Sequence, residues 1–306
     1  MKIINAADVG ARLSWQQAVE ALRDGHRQPK PLADDMLLAP GENRLLVRSA
    51  WIEGLGGGLK AVTIFPGNPS ASPPLPAVQG QFLLFGEGDG DVVAVIEGAA
   101  LTAWKTAADS ALGADLLART SSDVLTMIGA GAMAEPLVRA HKSVRPGLSK
   151  VMLWNRNLEK CRFLKSTLAD LGVEIGIAES LEAAVRSADI ICTATMACEP
   201  LIHGDWLRPG THVDLVGAYT PTMREADDVA LTRGRLFADF APSALETGEL
   251  AIPLSQRVIM PSDLVGDLYG LVAGTCGRET EKEISLYKNG GGAHLDLMMA
   301  CAVVSG

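Results

Sequence analysis

One stretch decides the fold of this chain, Val-Leu-Thr-Met-Ile-Gly-Ala-Gly-Ala-Met-Ala at residues 124–134. Five mostly apolar residues lead directly into Gly129-x-Gly131-x-x-Ala134, which predicts a buried strand, a tight turn and the start of a helix. Gly129 permits the sharp turn, Gly131 lets a pyrophosphate approach the backbone, and Ala134 allows close packing of helix and strand. Free N–H groups at the start of a helix attract phosphates, so the pattern predicts a dinucleotide site. Contacts to the dinucleotide are expected from Gly129, Ala130, Gly131, Ala132 and Met133.

The chain that follows continues this pattern to about residue 260, with strands and helices alternating as in a doubly wound parallel sheet. The predicted strands are 124–128, 151–154, 173–177, 189–193, 212–216 and 235–238. The predicted helices are 132–144, 157–171, 181–187 and 224–231. We therefore expect an α/β fold of the Rossmann type in this part of the chain.

The parts of the chain on either side of the Rossmann region have a different pattern of apolar, Gly and Pro residues. Between about residues 30 and 97, short apolar runs alternate with Gly and Pro clusters, and Gly-Glu-Gly-Asp-Gly at 86–90 predicts a hairpin. This region is expected to form an antiparallel sheet. Because the tail returns to a pattern unlike the Rossmann part, we expect the Rossmann domain to be an insertion. The predicted division is a first domain at 1–118, completed by 286–306, and a Rossmann domain at 119–285.

Composition excludes several classes of partner. The net charge is −9 and no Lys/Arg-rich run occurs, which argues against nucleic acid and anionic membranes. No apolar run is long enough to span a bilayer, and the first residues lack the apolar segment of a signal peptide. The five cysteines are scattered, without a CxxC pair or zinc-site spacing. They predict reduced thiols, no metal site and a cytoplasmic location.

The end of the second predicted strand indicates which nicotinamide cofactor binds. NAD-type Rossmann domains place Asp or Glu there to accept hydrogen bonds from the ribose hydroxyls. This chain has Asn155, which removes a charge that would repel a 2′-phosphate, and Arg156, whose guanidinium can bind one. NADP(H) is therefore favoured, while NAD(H) stays open because Asn155 can also bind a plain ribose. The loops after the fourth and fifth strands are also expected to face the cofactor. They contain Thr193, Thr195, Met196, Val216 and Gly217.

Further motifs are spread over almost the whole chain. They are Leu-Lys-Ala-Val-Thr at 59–63 with Pro-Gly-Asn at 66–68, Leu-Pro-Ala-Val-Gln-Gly at 75–80, Leu-Thr-x-x-Lys-Thr-Ala-Ala at 101–108, Val-Gly-Ala-Tyr-Thr-Pro at 216–221 with Arg224-Glu225, and Leu-Tyr-Lys-Asn-Gly-Gly at 286–291. With the glycine turn, they make the chain resemble the ornithine cyclodeaminase/mu-crystallin family. The local sequence near Tyr219 and at the C-terminus resembles the bacterial Δ1-pyrroline-2-carboxylate reductases most. The resemblance implies an antiparallel dimerisation domain with an inserted Rossmann domain, and a homodimer formed through the antiparallel sheet.

The resemblance also implies roles for individual residues. Lys60 matches the family's substrate-pocket lysine, which is expected to bind the substrate carboxylate and assist proton transfer. Lys105 replaces the family's substrate-binding arginine, and Lys30 falls near a further family arginine. Arg48 replaces an apolar residue and brings a new cation to the pocket wall. Tyr219 is expected to contact the substrate, where it replaces the Asp of cyclodeaminases and is a poor base near neutrality, since the ordinary pKa of tyrosine is about 10. Two further residues of the matched motifs, Thr106 and Gly291, are expected at the cofactor.

These residues predict an NAD(P)H-dependent reductase of a small cyclic imino acid, such as Δ1-pyrroline-2-carboxylate or Δ1-piperideine-2-carboxylate, in amino-acid metabolism. Three alternatives stay open: an ornithine cyclodeaminase, an alanine-type amino-acid dehydrogenase, and an NADP-binding protein without catalysis. The loss of Asp at Tyr219 argues against the cyclodeaminase. Asp296, in the final predicted helix, is expected to cap or orient the turn at 289–292.

Overall fold

The computed structural model describes residues 1–306 and divides into two compact units. The split unit comprises Met1–Thr106 and Gly292–Gly306, and the inserted unit comprises Ala107–Gly291. The strands are β1 Lys2–Ile4, β2 Leu32–Leu38, β3 Arg44–Ile52, β4 Gly56–Ile64, β5 Val78–Phe85, β6 Val92–Glu97, β7 Val124–Ile128, β8 Lys150–Trp154, β9 Glu174–Ile177, β10 Ile190–Thr193, β11 His212–Leu215, β12 Arg235–Ala238, β13 Leu264–Asp267 and β14 Ser285–Lys288. The helices are α1 Ala6–Arg12, α2 Trp15–Gly25, α3 Gly98–Leu117, α4 Ala134–Val144, α5 Leu158–Thr167, α6 Leu181–Ser187, α7 Asp228–Arg233, α8 Ala241–Glu246, α9 Gly248–Ser255, α10 Leu268–Ala273 and α11 Ala293–Ser305.

The split unit is built on a six-stranded sheet in the order β1-β6-β5-β4-β3-β2. The pairs from β2 to β6 are antiparallel, as predicted, and β1 adds a parallel edge. Helix α11 packs on β3, β4 and β5 and against α2, and most of its side chains are buried. At the other edge, all seven residues of β2 are exposed. The buried side chains between α11 and the sheet therefore form the core that supports this unit.

The inserted unit contains an eight-stranded sheet in the order β13-β12-β14-β11-β10-β7-β8-β9. Every pairing in it is parallel. The strand order reverses between β7 and β10, where doubly wound sheets bind ligands at the carboxyl ends of their strands. The fold class predicted from the sequence is confirmed. None of the helices combines the length and the hydropathy that crossing a bilayer requires.

Strand β14 departs from the predicted division of the chain. Residues 286–288 were expected to complete the first domain, but β14 lies between β11 and β12 in the inserted sheet. The unit boundaries accordingly fall at 106/107, inside α3, and at 291/292. The strand was hard to assign because its polar residues are buried and satisfied by partners: Ser285 Oγ lies 2.9 Å from His212 Nδ1, and Lys288 Nζ donates to Leu215 O at 2.9 Å. Because Ser and Lys are usually exposed, their presence in a sequence predicts surface positions.

Candidate functional site

The glycine turn after β7 is shaped to receive a phosphate group. Gly129 has a φ of +101°, and a Cβ there would lie 2.5 Å from the carbonyl oxygen of Ala194, so only glycine fits. Gly131 faces open space, and a Cβ added there would have no neighbouring atom within 4 Å. Helix α4 begins at Ala134, and its N-cap residue Met133 makes no side-chain capping bond. In the first helical turn Ala134 N donates to Gly131 O at 3.0 Å and Pro136 has no N–H, so the N–H of Glu135 is the one that this turn leaves for an anion.

A cleft of about 420 Å³ opens beside this turn. It is lined by seven of the residues predicted to bind the cofactor, which are Gly129, Ala130, Gly131, Asn155, Arg156, Thr195 and Met196. Ala132 lines a neighbouring cleft of about 500 Å³, which shares Ala130 and Gly131 with the first. Cofactor binding by all of these residues, and by Met133, Val216, Gly217, Thr106 and Gly291, stays a prediction. Among these, Gly291 donates its N–H to the carboxylate of Asp239.

Two cations line the cleft where β8 ends and α5 begins. Arg156 is exposed at the end of β8, and Lys160 on α5 also lines the cleft. Sequence analysis missed Lys160, because it lies on α5 rather than at the end of β8, where the cofactor-selecting residues were expected. The Asn155 side-chain amide nitrogen donates to the carbonyl oxygen of Asn157 at 3.1 Å, so its oxygen is available to a ribose hydroxyl.

The loop after β10 is held by the buried carboxylate of Glu225. Its Oε1 accepts from Thr193 Oγ1, from Thr195 N and from Thr195 Oγ1, each at 2.7 Å. Burial, together with the nearby carboxylate of Glu249, raises the pKa of Glu225 to about 7. Thr193 was expected to face the cofactor, but it is fully buried and its hydroxyl is committed to Glu225. Any effect of Thr193 on the cofactor is therefore transmitted through Glu225 and Thr195.

Lys60 on β4 is the centre of a charged cluster in the split unit. Its ammonium donates to Asp296 Oδ1 at 2.9 Å and to the hydroxyl of Thr102. The Thr102 hydroxyl is fixed as an acceptor toward Lys60 because it donates its own proton to Gly98 O at 2.6 Å. An ammonium has three N–H groups, so one remains for a ligand. Lys60 is 7% exposed, which means that a ligand bound there would be largely shielded from water.

Asp296 lies between two of the predicted substrate residues. It is 1% exposed, and its second oxygen lies 3.9 Å from Lys105 Nζ. Burial acts to raise the pKa of Asp296, but Lys105, Lys60 and Arg48 together hold that pKa below its ordinary value. The expectation that Asp296 orients the turn at 289–292 is wrong, because both carboxylate oxygens face the lysines. Sequence reasoning missed this role because 236 residues separate Asp296 from Lys60.

The remaining predicted substrate residues differ in their surroundings. Arg48 on β3 donates through Nε to Asp35 Oδ2 on β2 at 2.8 Å, and it is paired across the strands with Lys60. Lys30 is exposed before β2. Tyr219 belongs to the inserted unit and is 62% exposed. The structure therefore groups Lys60, Lys105 and Arg48, whereas substrate binding by Lys30 and Tyr219 stays a prediction.

Known proteins resemble this chain over nearly its whole length. The ornithine cyclodeaminase/mu-crystallin family profile matches residues 43–305. The chain is 46% identical over 301 residues to a Δ1-pyrroline-2-carboxylate reductase of Paracoccus denitrificans, covering 98% of this chain and 95% of that protein. The Thermococcus litoralis Δ1-pyrroline-2-carboxylate reductase, solved with NADH and L-proline, superposes with a TM-score of 0.92 at 28% identity, covering 100% and 97% of the two chains. The iminosuccinate reductase of P. denitrificans, solved with NAD⁺, gives 0.93 at 27% identity, covering 100% and 95%. The chain belongs to the ornithine cyclodeaminase/mu-crystallin family.

Proposed function

We propose that this protein is an NAD(P)H-dependent reductase of a small cyclic imino acid, Δ1-pyrroline-2-carboxylate or Δ1-piperideine-2-carboxylate, which it converts to proline or pipecolate. The observation that carries the proposal is the buried cluster of Lys60, Asp296 and Lys105, in which one N–H of Lys60 remains for a ligand. The relative with 46% identity over nearly the whole chain is a reductase of the first of these substrates.

The chemistry assigns separate tasks to the residues of the cluster. When bound, the reduced nicotinamide supplies a hydride to C2 of the imine. The charge of Lys60 attracts the substrate carboxylate, and its one remaining N–H donates a proton to the ring nitrogen, so that the C=N bond becomes an amine; Lys60 then regains a proton from solvent. Lys105 adds a second positive charge beside Asp296. Asp296 holds the Lys60 ammonium in place.

The cofactor is a nicotinamide dinucleotide held in the cleft of the inserted unit. NADPH is the favoured form, because Arg156 and Lys160 line the cleft and position 155 carries no charge. NADH is the alternative, since Asn155 presents an oxygen suited to a ribose hydroxyl and the two solved relatives hold NADH and NAD⁺.

The proposal includes a homodimer formed through the antiparallel sheet. Strand β2 lies at the edge of that sheet with every residue exposed, including Leu32 at 75%, Leu37 at 59% and Leu38 at 50%. An apolar edge strand of this kind is normally covered by another chain. A cytoplasmic location is proposed because all five cysteines are free thiols.

The proposal is tested by following NADH and NADPH oxidation with the two cyclic imines. Ornithine with NAD⁺, assayed for ammonia release, and pyruvate with ammonium test the cyclodeaminase and the amino-acid dehydrogenase in parallel. We expect turnover with a cyclic imine and little with the other substrates. Protein that binds NADPH but reduces neither imine would contradict the proposal.

A further inference from the structure

Beside the Lys60 cluster lies an ion pair to which neither the fold nor the proposed reaction assigns a role. Arg48 and Lys60 are direct partners across β3 and β4, and Asp35 and Arg48 are direct partners across β2 and β3. Directly paired residues project from the same face of a sheet. Asp35, Arg48 and Lys60 therefore form a row along one face, continuous with Lys105 and Asp296.

We propose that the Asp35–Arg48 pair restricts this site to imino acids with one carboxylate, and that Asp35 excludes a second carboxylate by neutralising Arg48. This inference rests on the proposed function, because it specifies the class of imine that the reductase accepts. Asp35 acts through Arg48 and is a specificity-determining residue rather than a catalytic one.

The charges of the row support this restriction. Arg48, Lys60 and Lys105 supply three positive charges, and the carboxylates of Asp35 and Asp296 supply two negative charges. The surplus is one positive charge, which matches one substrate carboxylate. The nearby His294 does not alter this balance, because burial lowers its pKa well below the ordinary value and keeps it neutral.

Arg48 is able to bind a second carboxylate once Asp35 is neutral. Its bond to Asp35 uses Nε, so the two Nη groups remain for a bidentate contact. The Arg48 side chain is 26% exposed, which leaves it accessible to a ligand. Arg48 is the direct cross-strand partner of Lys60, and its charge contributes to the lowered pKa of Asp296. Removing the negative charge of Asp35 should therefore allow the site to accept a dicarboxylate.

The test compares two substrates that share a ring and differ by one carboxylate, Δ1-piperideine-2-carboxylate and Δ1-piperideine-2,6-dicarboxylate. Iminosuccinate, formed from oxaloacetate and ammonium, serves as an open-chain dicarboxylate. In Asp35→Asn, we expect kcat/KM for at least one dicarboxylate, relative to the monocarboxylate, to rise at least about fivefold, mainly through a lower KM. Asp35→Glu keeps the ion pair and should retain the wild-type ratio. Because Asp35 is 44% exposed in the single chain, neither variant should impair folding of the protomer, and size-exclusion chromatography checks that each variant keeps the oligomeric state of the wild type.

Glu53→Gln is the matched control. It removes one negative charge from an exposed position beyond the end of β3 and should leave the ratio unchanged. Binding of pipecolate and piperidine-2,6-dicarboxylate, measured by calorimetry, gives a second readout that does not depend on turnover. Tighter dicarboxylate binding by Asp35→Asn alone would support the inference. An unchanged preference in Asp35→Asn, or an equal gain in Glu53→Gln, would overturn it, whereas failure of the wild type to reduce either monocarboxylic imine would overturn the proposed function itself.

Discussion

Removing the Asp296 carboxylate tests the charged cluster in depth. In the native protein this group, 1% exposed, compensates Lys60 and Lys105, which are 7% and 4% exposed. Asp296→Ala leaves both ammonium groups buried without that carboxylate. Removing one partner of a buried ion pair typically costs about 3–5 kcal/mol of unfolding free energy, because the remaining charge stays desolvated. We therefore expect a loss of that size in the split unit.

The matched control is Asp170→Ala. Asp170 likewise forms an ion pair, in its case with Arg139, which donates two N–H groups at 2.8 and 3.0 Å, but the Asp170 side chain is 70% exposed. Solvent screens such a pair, so its loss should cost much less than the loss of Asp296. The comparison separates burial from the number of hydrogen bonds.

Urea unfolding followed by tryptophan fluorescence measures both variants. Trp15, Trp51 and Trp104 lie in the split unit with Asp296, whereas Trp154 and Trp206 lie in the inserted unit with Asp170, so the signal reports the unfolding of both units. Adding Lys60→Met to Asp296→Ala should restore part of the stability, because it removes one uncompensated charge. Equal losses in Asp296→Ala and Asp170→Ala would refute the reasoning that burial makes this cluster costly to break.

Three further perturbations address the reaction, the cofactor and the response to pH. Lys60→Met should lower kcat/KM for the cyclic imine by about 10²–10⁴-fold, since it removes the proton donor and a carboxylate contact, while fluorescence titration should show an unchanged Kd for NADPH. A large rise in that Kd would contradict a role for Lys60 confined to substrate. Asn155→Asp should raise the KM for NADPH by at least about tenfold and that for NADH much less, because the new charge repels the 2′-phosphate; parallel changes in both KM values would count against the assignment of this position. Burial and Glu249 raise the pKa of Glu225 to about 7 from an ordinary 4.5, so the folded protein retains a proton that the unfolded chain releases. Stability should therefore fall as pH rises from 4.5 to 7 and level off above 7, and urea unfolding of Glu225→Gln should lack this slope; identical slopes in the two proteins would contradict the buried role of Glu225.

The parts of the fold that could be predicted depend on local rules. The glycine turn at 129–131 needs a positive φ and a close backbone approach, and both requirements leave a mark on residue type. The position of Asn155 follows from the length of one helix and one strand after that turn. These features led to the fold class, which is confirmed, and the motifs spread along the chain led to the family, which is also confirmed.

The parts that could not be predicted depend on distant pairing. Asp296 acts on Lys60 across 236 residues, and β14 joins the inserted sheet although it carries buried Ser and Lys residues. Glu225 was visible only as part of a motif, because its bonds to Thr193 and Thr195 form across 32 and 30 residues. From a single sequence it is not possible to see whether a polar residue has a buried hydrogen-bond partner far along the chain. Charged groups satisfied by tertiary contacts were therefore missed or assigned to the wrong neighbour.

Transfer of a deuterium label tests the central claim most directly. The protein is incubated with NADPH or NADH carrying deuterium at both C4 positions and with Δ1-pyrroline-2-carboxylate, and the amino acid formed is examined by mass spectrometry. We expect proline with one deuterium at C2, together with an equivalent amount of oxidised cofactor. Oxidised cofactor without labelled proline, or no reaction by protein that binds the cofactor, would contradict the assignment as an imino-acid reductase.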